Sequence, residues 1–371
     1  MKKSKQMTLV IGVALAFVVL FSSISQASAA PQSPPVMRTV TSQADNAYKW
    51  PSVSSTQDSG LYTEWWYFEI NDGAKMNMTI FYEIDNPEGV TGEDVIPAAA
   101  NVGMEGFIGD MMVADPYLAN YDEWSASTSK LDVNIGGNII KGIDTNIVHV
   151  QGVDTVIGGS WNLWFIRDNV PGLYSDAVPT GYYPTDFMGW CSYMPKARVF
   201  GTISLAGETF TICNALGYSD HNWGSPMTLA YAPWAKFYQG NLMMNGGGIM
   251  SATNPDQASN GFWNVYYNNA WIYFKVPKVA YTWAVDENGV AFISDFHLTA
   301  TSQNNKYKVD IIMAYTGAQQ FSYILDFGVY SLFFLKSWGF HVTGTFKQVG
   351  GATVNINTFT VIEENFFIPN A

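Results

Sequence analysis

The sequence predicts an all-β protein of two tandem domains, each a barrel or a sandwich. Turn residues recur every eight to twelve positions along most of the chain, which is the spacing of short antiparallel strands. Residues 75–84 alternate apolar and polar side chains, as a strand with one buried face does. No helical periodicity is sustained for three turns. Closure into barrels or sandwiches leaves few exposed edges for such strands.

Three turn motifs predict β-hairpins in the first domain. An Asn-Asp-Gly turn at 71–73 separates strand patterns at 63–70 and 75–84. Gly-Gly-Asn at 136–138 and Ala-Gly-Glu at 206–208 signal two later hairpins. The second half of the chain continues with strand patterns of the same kind. The predicted elements are therefore antiparallel strands that follow one another closely.

The chain is expected to divide into four parts. Residues 1–29 form a signal peptide, and residues 30–59, rich in Pro, Ser, Gln and Thr, form an extended leader with little core. Residues 60–250 and 251–371 form the two β domains, with the boundary in a stretch rich in Gly and Asn. Only residues 323–338 allow a short helix.

The first residues predict export. Lys2, Lys3 and Lys5 precede an apolar run that ends at Phe21, and the small residues 27–29 supply a cleavage signal. The run is shorter than the roughly 20 residues that a spanning helix needs. We therefore expect a secreted or periplasmic protein after cleavage, with no integral membrane segment.

The composition limits the partners. The formal net charge is −13, and a surface that negative repels nucleic-acid backbones and anionic lipids. Aromatic residues make up 15% of the chain and charged residues 13%, whereas charged residues are about 25% of an average globular protein. Such a chain can bury a large core or line an apolar cavity. The expected partner is an apolar small molecule, and not nucleic acid.

The two cysteines leave two alternatives open. In an oxidising compartment Cys191 and Cys213 could form a disulfide between neighbouring strands. The hairpin predicted at 206–208 does not set them directly opposite each other, and buried free thiols are common. The sequence favours neither alternative.

The segment Tyr-Ser-Asp-His-Asn-Trp-Gly at 218–224 concentrates groups that are costly to bury. It follows the strand predicted at 209–216, so it lies at a strand end or on a sharp turn. His221 exchanges protons near neutral pH. Asp220 could orient the imidazole or, if buried, stay protonated as an acid. Trp223 adds an apolar, electron-rich wall. The competing interpretation is a structural corner in which Asp220 caps backbone amides.

The segment Glu-Trp-Trp-Tyr-Phe at 64–68 is a second candidate region. In a strand, Glu64 and Trp66 share one face, while Trp65 and Tyr67 share the other. A carboxyl group among aromatic side chains on a buried face has a raised pKa, because its anion is poorly solvated there. The alternative is a core strand with Glu64 at its solvated end.

Several familiar kinds of site are not indicated. His149, His297 and His341 stand in strand patterns, where a histidine is more often a hydrogen-bonded core or surface residue than a catalyst. No pair of His, Cys or carboxylate residues has the spacing of a zinc site. The sequence has no Gly-Xaa-Ser-Xaa-Gly elbow, no phosphate-binding glycine loop and no dinucleotide fingerprint. We predict neither a metal nor a cofactor, and a serine hydrolase is disfavoured.

Three motifs occur together in an order that resembles a known family. Glu-Trp-Trp-Tyr at 64–67, Met-Pro-Lys-Ala-Arg-Val at 194–199 and the 218–224 segment are similar to motifs of the lipocalin-like family of carotenoid 1,2-hydratases and AttH-type proteins. Tocopherol cyclases and fungal lipocalin-like Diels–Alderases look like more distant kin. The resemblance runs from about residue 62 to residue 364. It implies two packed lipocalin-like β domains with a hydrophobic cavity for an isoprenoid or polyketide chain.

The resemblance also implies an acid–base site. In the hydratase branch the His and Trp of an Asp-His-Xaa-Trp element are implicated in activity, and here these would be His221 and Trp223. An acid protonates an alkene, aromatic faces stabilise the cation, and water or an internal alkene captures it. The acid must be strong and desolvated, such as a buried neutral carboxylic acid. The predicted catalytic residues are Asp220, His221, Trp223 and Glu64, and the predicted substrate-binding residues are Trp65, Trp66, Tyr67 and Tyr218.

The sequence departs from the hydratases at one point. They carry a Tyr-Xaa-Asp element downstream of the His-Xaa-Trp, which supplies the proposed proton donor, and none occurs between Gly224 and Phe262. Asp220, Asp256 or Glu64 could substitute. Three functions stay open: acid-assisted hydration, cyclisation or isomerisation; a Diels–Alderase-like cyclisation that depends on pocket shape; and non-catalytic transport of an apolar ligand. The concentrated Asp-His-Xaa-Trp-Gly core favours the first.

Overall fold

A computed structural model describes most of the chain between residues 36 and 369. Within that range the description leaves out residues 57, 74, 93–94, 114–118, 180–186, 225–230, 251–257, 276, 286–290, 318–319 and 327–329. The predicted signal peptide lies outside the described residues. None of the helices that are described is long and apolar enough to cross a bilayer.

The first sheet is antiparallel, and a short region of turns lies between its first two strands. That region holds 3₁₀ turns at Gln43–Asn46 and Ser59–Leu61 and one short helix, α1, at Trp50–Val53. The strands of this sheet are β1 (Arg38–Thr39), β2 (Thr63–Asn71), β3 (Met76–Asp85), β4 (Ala99–Ile108), β5 (Met111–Val113), β6 (Ala119–Asn120), β7 (Trp124–Ala126), β8 (Asp132–Ile135), β9 (Asn138–Gly142), β10 (Ile147–Asp154), β11 (Gly159–Arg167), β12 (Leu173–Pro179), β13 (Phe187–Leu205) and β14 (Glu208–Gly224).

The second sheet is also antiparallel and is built from the rest of the chain. Its strands are β15 (Tyr231–Gln239), β16 (Leu242–Met250), β17 (Ala258–Tyr267), β18 (Ala270–Tyr273), β19 (Lys278–Val285), β20 (Ala291–Thr301), β21 (Tyr307–Tyr315), β22 (Gln320–Asp326), β23 (Tyr330–Gln348) and β24 (Thr353–Pro369).

The two sheets share one topology. The first has the order β4-β3-β2-β14-β13-β11-β10, with further strands at its edges, and the second has the order β17-β16-β15-β24-β23-β21-β20. In each sheet an early strand pairs with the last strand, and a long hairpin forms the centre. Each sheet curls into a half-barrel, which confirms the predicted all-β fold with two lipocalin-like domains.

Aromatic side chains join the outer face of the first sheet to the second sheet. Trp190 of β13 packs against Trp234 and Phe262 with ring centroids 5.2 and 5.0 Å apart. The Tyr238 hydroxyl donates a hydrogen bond to the carbonyl oxygen of Pro195 at 2.7 Å. Both faces of the central strands β2, β13 and β14 are therefore covered, one by the interior of the half-barrel and one by the second sheet.

The prediction of an extended leader is wrong for the part that the structure describes. The described residues between 36 and 59 form strand β1, turns and helix α1. Tyr48 and Trp50 are buried in the core of the first sheet, and Arg38 pairs with Asp45. Composition concealed this packing, because two large aromatic side chains are enough to anchor a segment otherwise rich in Pro and Ser.

The short helix that the sequence allowed at 323–338 does not form. The described residues there belong to β22 and β23, which pair as an antiparallel hairpin with Tyr323 opposite Phe334. A short apolar run cannot be assigned to a helix or a strand from periodicity alone. The hairpin satisfies the backbone of both halves against each other.

The sheets change earlier than the domain boundary expected at residue 250. β14 ends at Gly224, and β15, which begins at Tyr231, already belongs to the second sheet. The glycines near 245–248 are part of β16 rather than a linker. A Cβ atom at Gly246 would lie 2.3 Å from the carbonyl oxygen of Phe262, so glycine is needed there for close packing.

Both cysteines are free. Cys191 is buried opposite His221, whereas Cys213 is exposed opposite Phe200. His221 and Cys213 are separated along β14 by about 25 Å of extended chain. A disulfide requires Cα atoms within about 7 Å. Of the two alternatives, the fold has free thiols.

Candidate functional site

Two paired strands bring four of the predicted site residues together. The register of β2 and β14 sets Trp66 opposite His221 and Glu64 opposite Trp223. Directly opposed residues of an antiparallel pair point to the same face. All four side chains are buried in the interior of the first half-barrel.

The centre of this group is a hydrogen bond between Glu64 and His221. Oε1 of Glu64 lies 2.7 Å from Nε2 of His221, and neither side chain is exposed. Trp66 stacks on the imidazole, with ring centroids 4.6 Å apart and planes 12° from parallel. Trp223 contacts the same ring at a centroid distance of 4.8 Å. The pair is thus sheltered from water by two indoles.

Two residues that the sequence analysis missed hold the Glu64 carboxyl group. The Tyr62 hydroxyl donates to Oε2 at 2.5 Å. The backbone N–H of Lys49 donates to both oxygens, at 2.8 and 3.1 Å. Tyr62 carried a usable signal, because it lies two residues before Glu64 and residues two apart share a face in extended chain. The sequence around Lys49 gave no such signal, because its composition is that of an extended leader.

Burial sets the protonation of the pair. It raises the pKa of Glu64 to about 8, although hydrogen bonds from Tyr62 and Lys49 oppose the shift. Burial also lowers the pKa of His221 well below its usual range, and the Lys49 ammonium adds to that shift. Near pH 7 both effects favour a neutral carboxylic acid beside a neutral imidazole. In that state Glu64 donates to Nε2, and the imidazole hydrogen is on Nδ1.

The second ring nitrogen of His221, Nδ1, makes none of the hydrogen bonds described so far. It is buried and has no hydrogen-bond partner among the described residues. The side-chain amide of Asn46 is also buried and without a partner in the described part of the chain. The backbone carbonyl oxygen of Asn46 accepts a hydrogen bond from Nε1 of Trp66 at 3.2 Å, so this turn lies beside the site. Orphaned buried polar atoms are rare, and they indicate a place for water or a ligand.

Lys49 links the N-terminal turns to Glu64 and to the Trp223 side of the site. Its backbone binds Glu64, and its ammonium lies 5.2 Å from the centres of the Trp223 and Tyr174 rings. The ammonium also donates to the carbonyl oxygen of Ala44 at 2.7 Å. The segment at 43–53 is therefore part of the site wall rather than an arm beside it.

Gly189 makes the space that Trp223 occupies. The two residues are opposite each other on β13 and β14, and a Cβ atom at position 189 would lie 1.8 Å from Cε2 of Trp223. We expect Gly189→Ala to displace the indole and to lower the free energy of unfolding by about 1–3 kcal/mol, the usual cost of overpacking. Near-ultraviolet circular dichroism and urea denaturation measure the two effects. Gly92→Ala, at an exposed position with room for a methyl group, is the control, and equal losses would contradict the prediction.

The raised pKa of Glu64 predicts how stability depends on pH. A carboxyl group whose pKa is higher in the folded state stabilises the fold below its unfolded pKa of about 4.3, and this stability is lost as the pH rises to about 8. The lowered pKa of His221 acts oppositely below its unfolded pKa of about 6.5, so the two contributions cancel at acid pH. Between about pH 6.5 and 8 only Glu64 of this pair contributes, and one proton over that interval is worth about 2 kcal/mol.

Urea denaturation at the two ends of that interval checks this sign. We expect the wild-type protein to lose about 2 kcal/mol more stability than Glu64→Gln, whose amide has no proton to lose. The amide keeps the shape of the carboxyl group and can still bond to His221. A wild-type protein no more sensitive to pH than the variant would show that Glu64 is already ionised in the native state.

Asp220 is the main departure from the predicted site. His221 faces the interior, whereas Asp220 faces the second sheet, because residues 218–224 continue β14 as a strand instead of bending. Oδ2 of Asp220 accepts from the Tyr218 hydroxyl at 2.8 Å and from Nε1 of Trp190 at 3.3 Å. Asp220 therefore does not orient the imidazole, and the structural-corner alternative is wrong as well.

The predicted substrate-binding residues are divided in the same way. Trp66 stacks on His221, but Trp65, Tyr67 and Tyr218 lie on the outer face of the same two strands. Tyr67 and Tyr218 contact each other edge to face at 6.3 Å. Four of the eight predicted site residues thus meet in the interior, and the other four lie across the sheet.

Two kinds of ligand site were sought among the described residues, a metal site and a cavity. In the part of the chain that the structure describes, no three His, Cys, Asp or Glu side chains are grouped as metal ligands. A cleft of about 430 Å³ lies between the sheets and is lined by residues of both, among them Asp168, Lys196 and Asn241. The cleft does not include Glu64 or His221, so an apolar cavity beside them stays a prediction.

Several solved structures share this fold. Kievitone hydratase from Nectria haematococca superposes with a TM-score of 0.50 at 11% identity, over 91% of this chain and 98% of that one. A protein described as AttH from Nitrosomonas europaea superposes with a TM-score of 0.54 at 12% identity, over 90% and 98% of the two chains. CghA gives a TM-score of 0.54 at 12% identity over 94% and 96%, and it has also been solved with Sch210972.

These likenesses show the fold. The chain has the fold of the AttH-type lipocalin-like proteins, as its motifs implied. No protein-family model and no curated protein matches the sequence. At 11–12% identity the function must be argued from the site itself.

Proposed function

We propose that this protein is an enzyme that protonates an apolar, isoprenoid-like small molecule and so hydrates, cyclises or isomerises it. The observation that carries the proposal is the buried hydrogen bond between Glu64 and His221, whose Nδ1 has no partner among the described residues. A neutral acid and a neutral imidazole in a dry site form the kind of proton donor that an alkene requires. The fold shared with a hydratase and with CghA is compatible with such an enzyme.

The proton moves along a relay of two residues. His221 gives the hydrogen on Nδ1 to an alkene carbon, while Nε2 takes the proton from Oε1 of Glu64. The imidazole stays neutral, and Glu64 becomes a carboxylate that balances the charge of the substrate cation. Tyr62 and the Lys49 backbone already donate hydrogen bonds to this carboxyl group, and these bonds strengthen as it becomes an anion.

Aromatic faces and a bound water complete the reaction. Trp66 and Trp223 contact the imidazole, so their rings lie near the developing cation and stabilise it. The free amide of Asn46 offers both a donor and an acceptor, which suits the water that captures the cation in hydration. Capture releases a proton, which returns through His221 to Glu64. In isomerisation or cyclisation the same return follows loss of a proton from the substrate.

Substrate entry requires movement of the N-terminal turns. The segment at 43–53 touches the site through Lys49 on Glu64 and through Asn46 on Trp66. Unlike β2 and β14, this part of the site wall is not held by strand pairing, although Tyr48 and Trp50 anchor it in the core. We propose that the apolar substrate enters beneath this segment, which then closes over it and excludes water.

The protein is also proposed to act outside the cytoplasm. The basic, apolar and small-residue order of positions 1–29 supports export. Intact mass measurement of the protein from its native host tests this, and the expected mature chain begins at Ala30. A full-length chain that still carries Met1 would refute export.

Deuterium transfer tests the proposed reaction even while the substrate is unidentified. In deuterium oxide Glu64 and His221 carry deuterium, and each protonation leaves one deuterium on a carbon of the product. The purified protein is incubated with an apolar extract of its source cells, and the extract is analysed by mass spectrometry. We expect one compound to gain carbon-bound deuterium in proportion to protein concentration.

The other two functions give different results in this experiment. A carrier retains a compound and returns it without deuterium. A cyclase that works only by pocket shape converts a compound to an isomer, again without deuterium. Either result would refute proton transfer by Glu64 and His221.

A further inference from the structure

Lys49 brings a positive charge to the wall of the candidate site without a close carboxylate to balance it. Its side chain is half-buried, and its ammonium donates a hydrogen bond to the carbonyl oxygen of Ala44 at 2.7 Å. Among the residues that the structure describes, no carboxylate oxygen lies within 4 Å of Nζ. An ammonium group has three donors, so two of them can still serve a further acceptor.

Three carboxyl groups act on this ammonium from a distance, and none of them is available as its counter-ion. Asp45 is paired with Arg38 at 2.5 Å. Asp176 is exposed to water and accepts a hydrogen bond from a tyrosine hydroxyl group. Glu64 is neutral near pH 7, because burial raises its pKa to about 8. Burial consequently lowers the pKa of Lys49, although the carboxyl groups oppose that shift.

The position of this charge matters for the proposed reaction. The ammonium of Lys49 lies 5.2 Å from the centre of the Trp223 ring, and the imidazole of His221 lies 4.8 Å from that ring. The same indole therefore contacts a permanent cation and the group beside which the substrate cation forms. Two positive charges this close in a site with little water repel each other and raise the barrier to protonation. A negative charge beside Lys49 removes this repulsion.

The surroundings of Lys49 limit the kind of negative group that fits. A phosphate ester carries nearly two charges, and it would meet the carboxylates of Asp45 and Asp176 beside a single ammonium. A carboxylate carries one charge, and its two oxygens match the two remaining donors of Nζ. Because Lys49 and His221 both contact Trp223, their charged groups are at most about 10 Å apart. A short apolar chain spans that distance between a carboxylate and an alkene.

We infer that the substrate is an isoprenoid-like carboxylic acid, whose carboxylate binds Nζ of Lys49 while its alkene lies against Nδ1 of His221. The inference rests on the proposed function, since it names the class of molecule that the same site takes. Lys49 binds and orients this molecule and takes no part in the transfer of the proton. Because the segment at 43–53 carries Lys49, closure of that segment over the substrate brings the ammonium to the carboxylate.

Two ligands that differ in one end group test the inference by isothermal titration calorimetry at neutral pH. Geranic acid has a carboxylate at one end of an isoprenoid chain and an alkene near the other end. Its primary amide has the same shape and no charge. We expect the acid to bind at least about tenfold more tightly than the amide, because a charge-assisted hydrogen bond to Lys49 replaces a neutral one.

Three variants assign the preference to the Lys49 ammonium. Lys49→Met removes the charge and keeps the backbone N–H that binds Glu64, so the acid and the amide should bind within about threefold of each other. Lys49→Arg keeps the charge and should retain most of the preference. Lys75→Met removes an ammonium that is 83% exposed at the turn between β2 and β3, and it should leave the preference unchanged.

Equal binding of the acid and the amide to the wild-type protein would overturn the inference, and this comparison requires no variant to fold. A preference that persists in Lys49→Met would overturn it as well, because the carboxylate would then be bound elsewhere. Deuterium transfer is measured separately. A preference that Lys49→Met abolishes, without deuterium transfer to any compound, supports the carboxylate site and refutes the proton relay. Deuterium transfer without a preference for the acid has the opposite meaning.

Discussion

Lys236→Met is expected to lower the free energy of unfolding by about 3–5 kcal/mol, the usual effect of removing one partner of a buried ion pair. Nζ of Lys236 lies 2.7 Å from Oε2 of Glu69, and the two side chains are only 5% and 6% exposed. The ammonium also lies 4.1 Å from the centre of the Tyr218 ring, a favourable cation–π distance. Without it, Glu69 must keep an uncompensated charge or take up a proton in a site with little water.

Urea denaturation of three variants separates this effect from a general loss of packing. Glu69→Gln combined with Lys236→Met removes both charges of the pair, so the double variant should recover most of the loss. Lys130→Met breaks an exposed pair with Asp132, where the partners are 2.8 Å apart and 53% and 40% exposed, and it should cost less than about 1 kcal/mol. If Lys236→Met costs no more than Lys130→Met, the sheets do not bury this pair in solution.

The faces of single strands could be predicted from the sequence, because alternation is a local property. Residues 64–68 were expected to divide into two faces, and β2 does divide them in that way. The raised pKa expected for Glu64 among aromatic side chains is also confirmed. Both results need only the period of two and the cost of burying a charge.

The pairing of distant strands could not be predicted in the same way. Glu64 and His221 are 157 positions apart in sequence, and no local turn motif predicts that β2 pairs with β14. The local signal at 218–224 favoured Asp220 as the partner of His221, since the two are adjacent. In an unbent strand adjacency has the opposite consequence, because neighbouring side chains point to opposite faces.

Contacts made by backbone atoms were the least accessible to sequence analysis. The Lys49 N–H that binds Glu64 exists at almost every position of any chain, so residue type gives no hint of it. The burial of Asn245 was equally inaccessible. Asn245 stands beside three glycines, a composition typical of a linker, yet it lies in the middle of β16. Burial between two sheets is a tertiary property that composition does not encode.

His221→Asn is expected to lower the rate of deuterium transfer to carbon by at least about 100-fold, the usual effect of losing a general acid. Asparagine has no group that can take a proton from Glu64 and pass another to the substrate. Asp220→Asn is the matched control, because the residue is adjacent in sequence but lies on the other face of β14. It should leave the rate within about threefold, the scatter expected for a residue outside the reaction. Equal losses in the two variants would place the chemistry elsewhere.

The pH dependence identifies Glu64 as the source of the proton. Transfer needs Glu64 in its neutral form, so the wild-type rate should fall about tenfold for each pH unit above its pKa of about 8. Glu64→Gln should transfer deuterium at least about 100-fold more slowly and without that fall, because the amide has no acidic proton. If an imidazolium form of His221 were the proton donor, the rate would instead be highest at acid pH, because the lowered pKa of His221 confines that form to acid pH. A rate that peaks in acid and has already vanished at pH 7 would therefore assign the proton to His221 and reduce Glu64 to a structural partner.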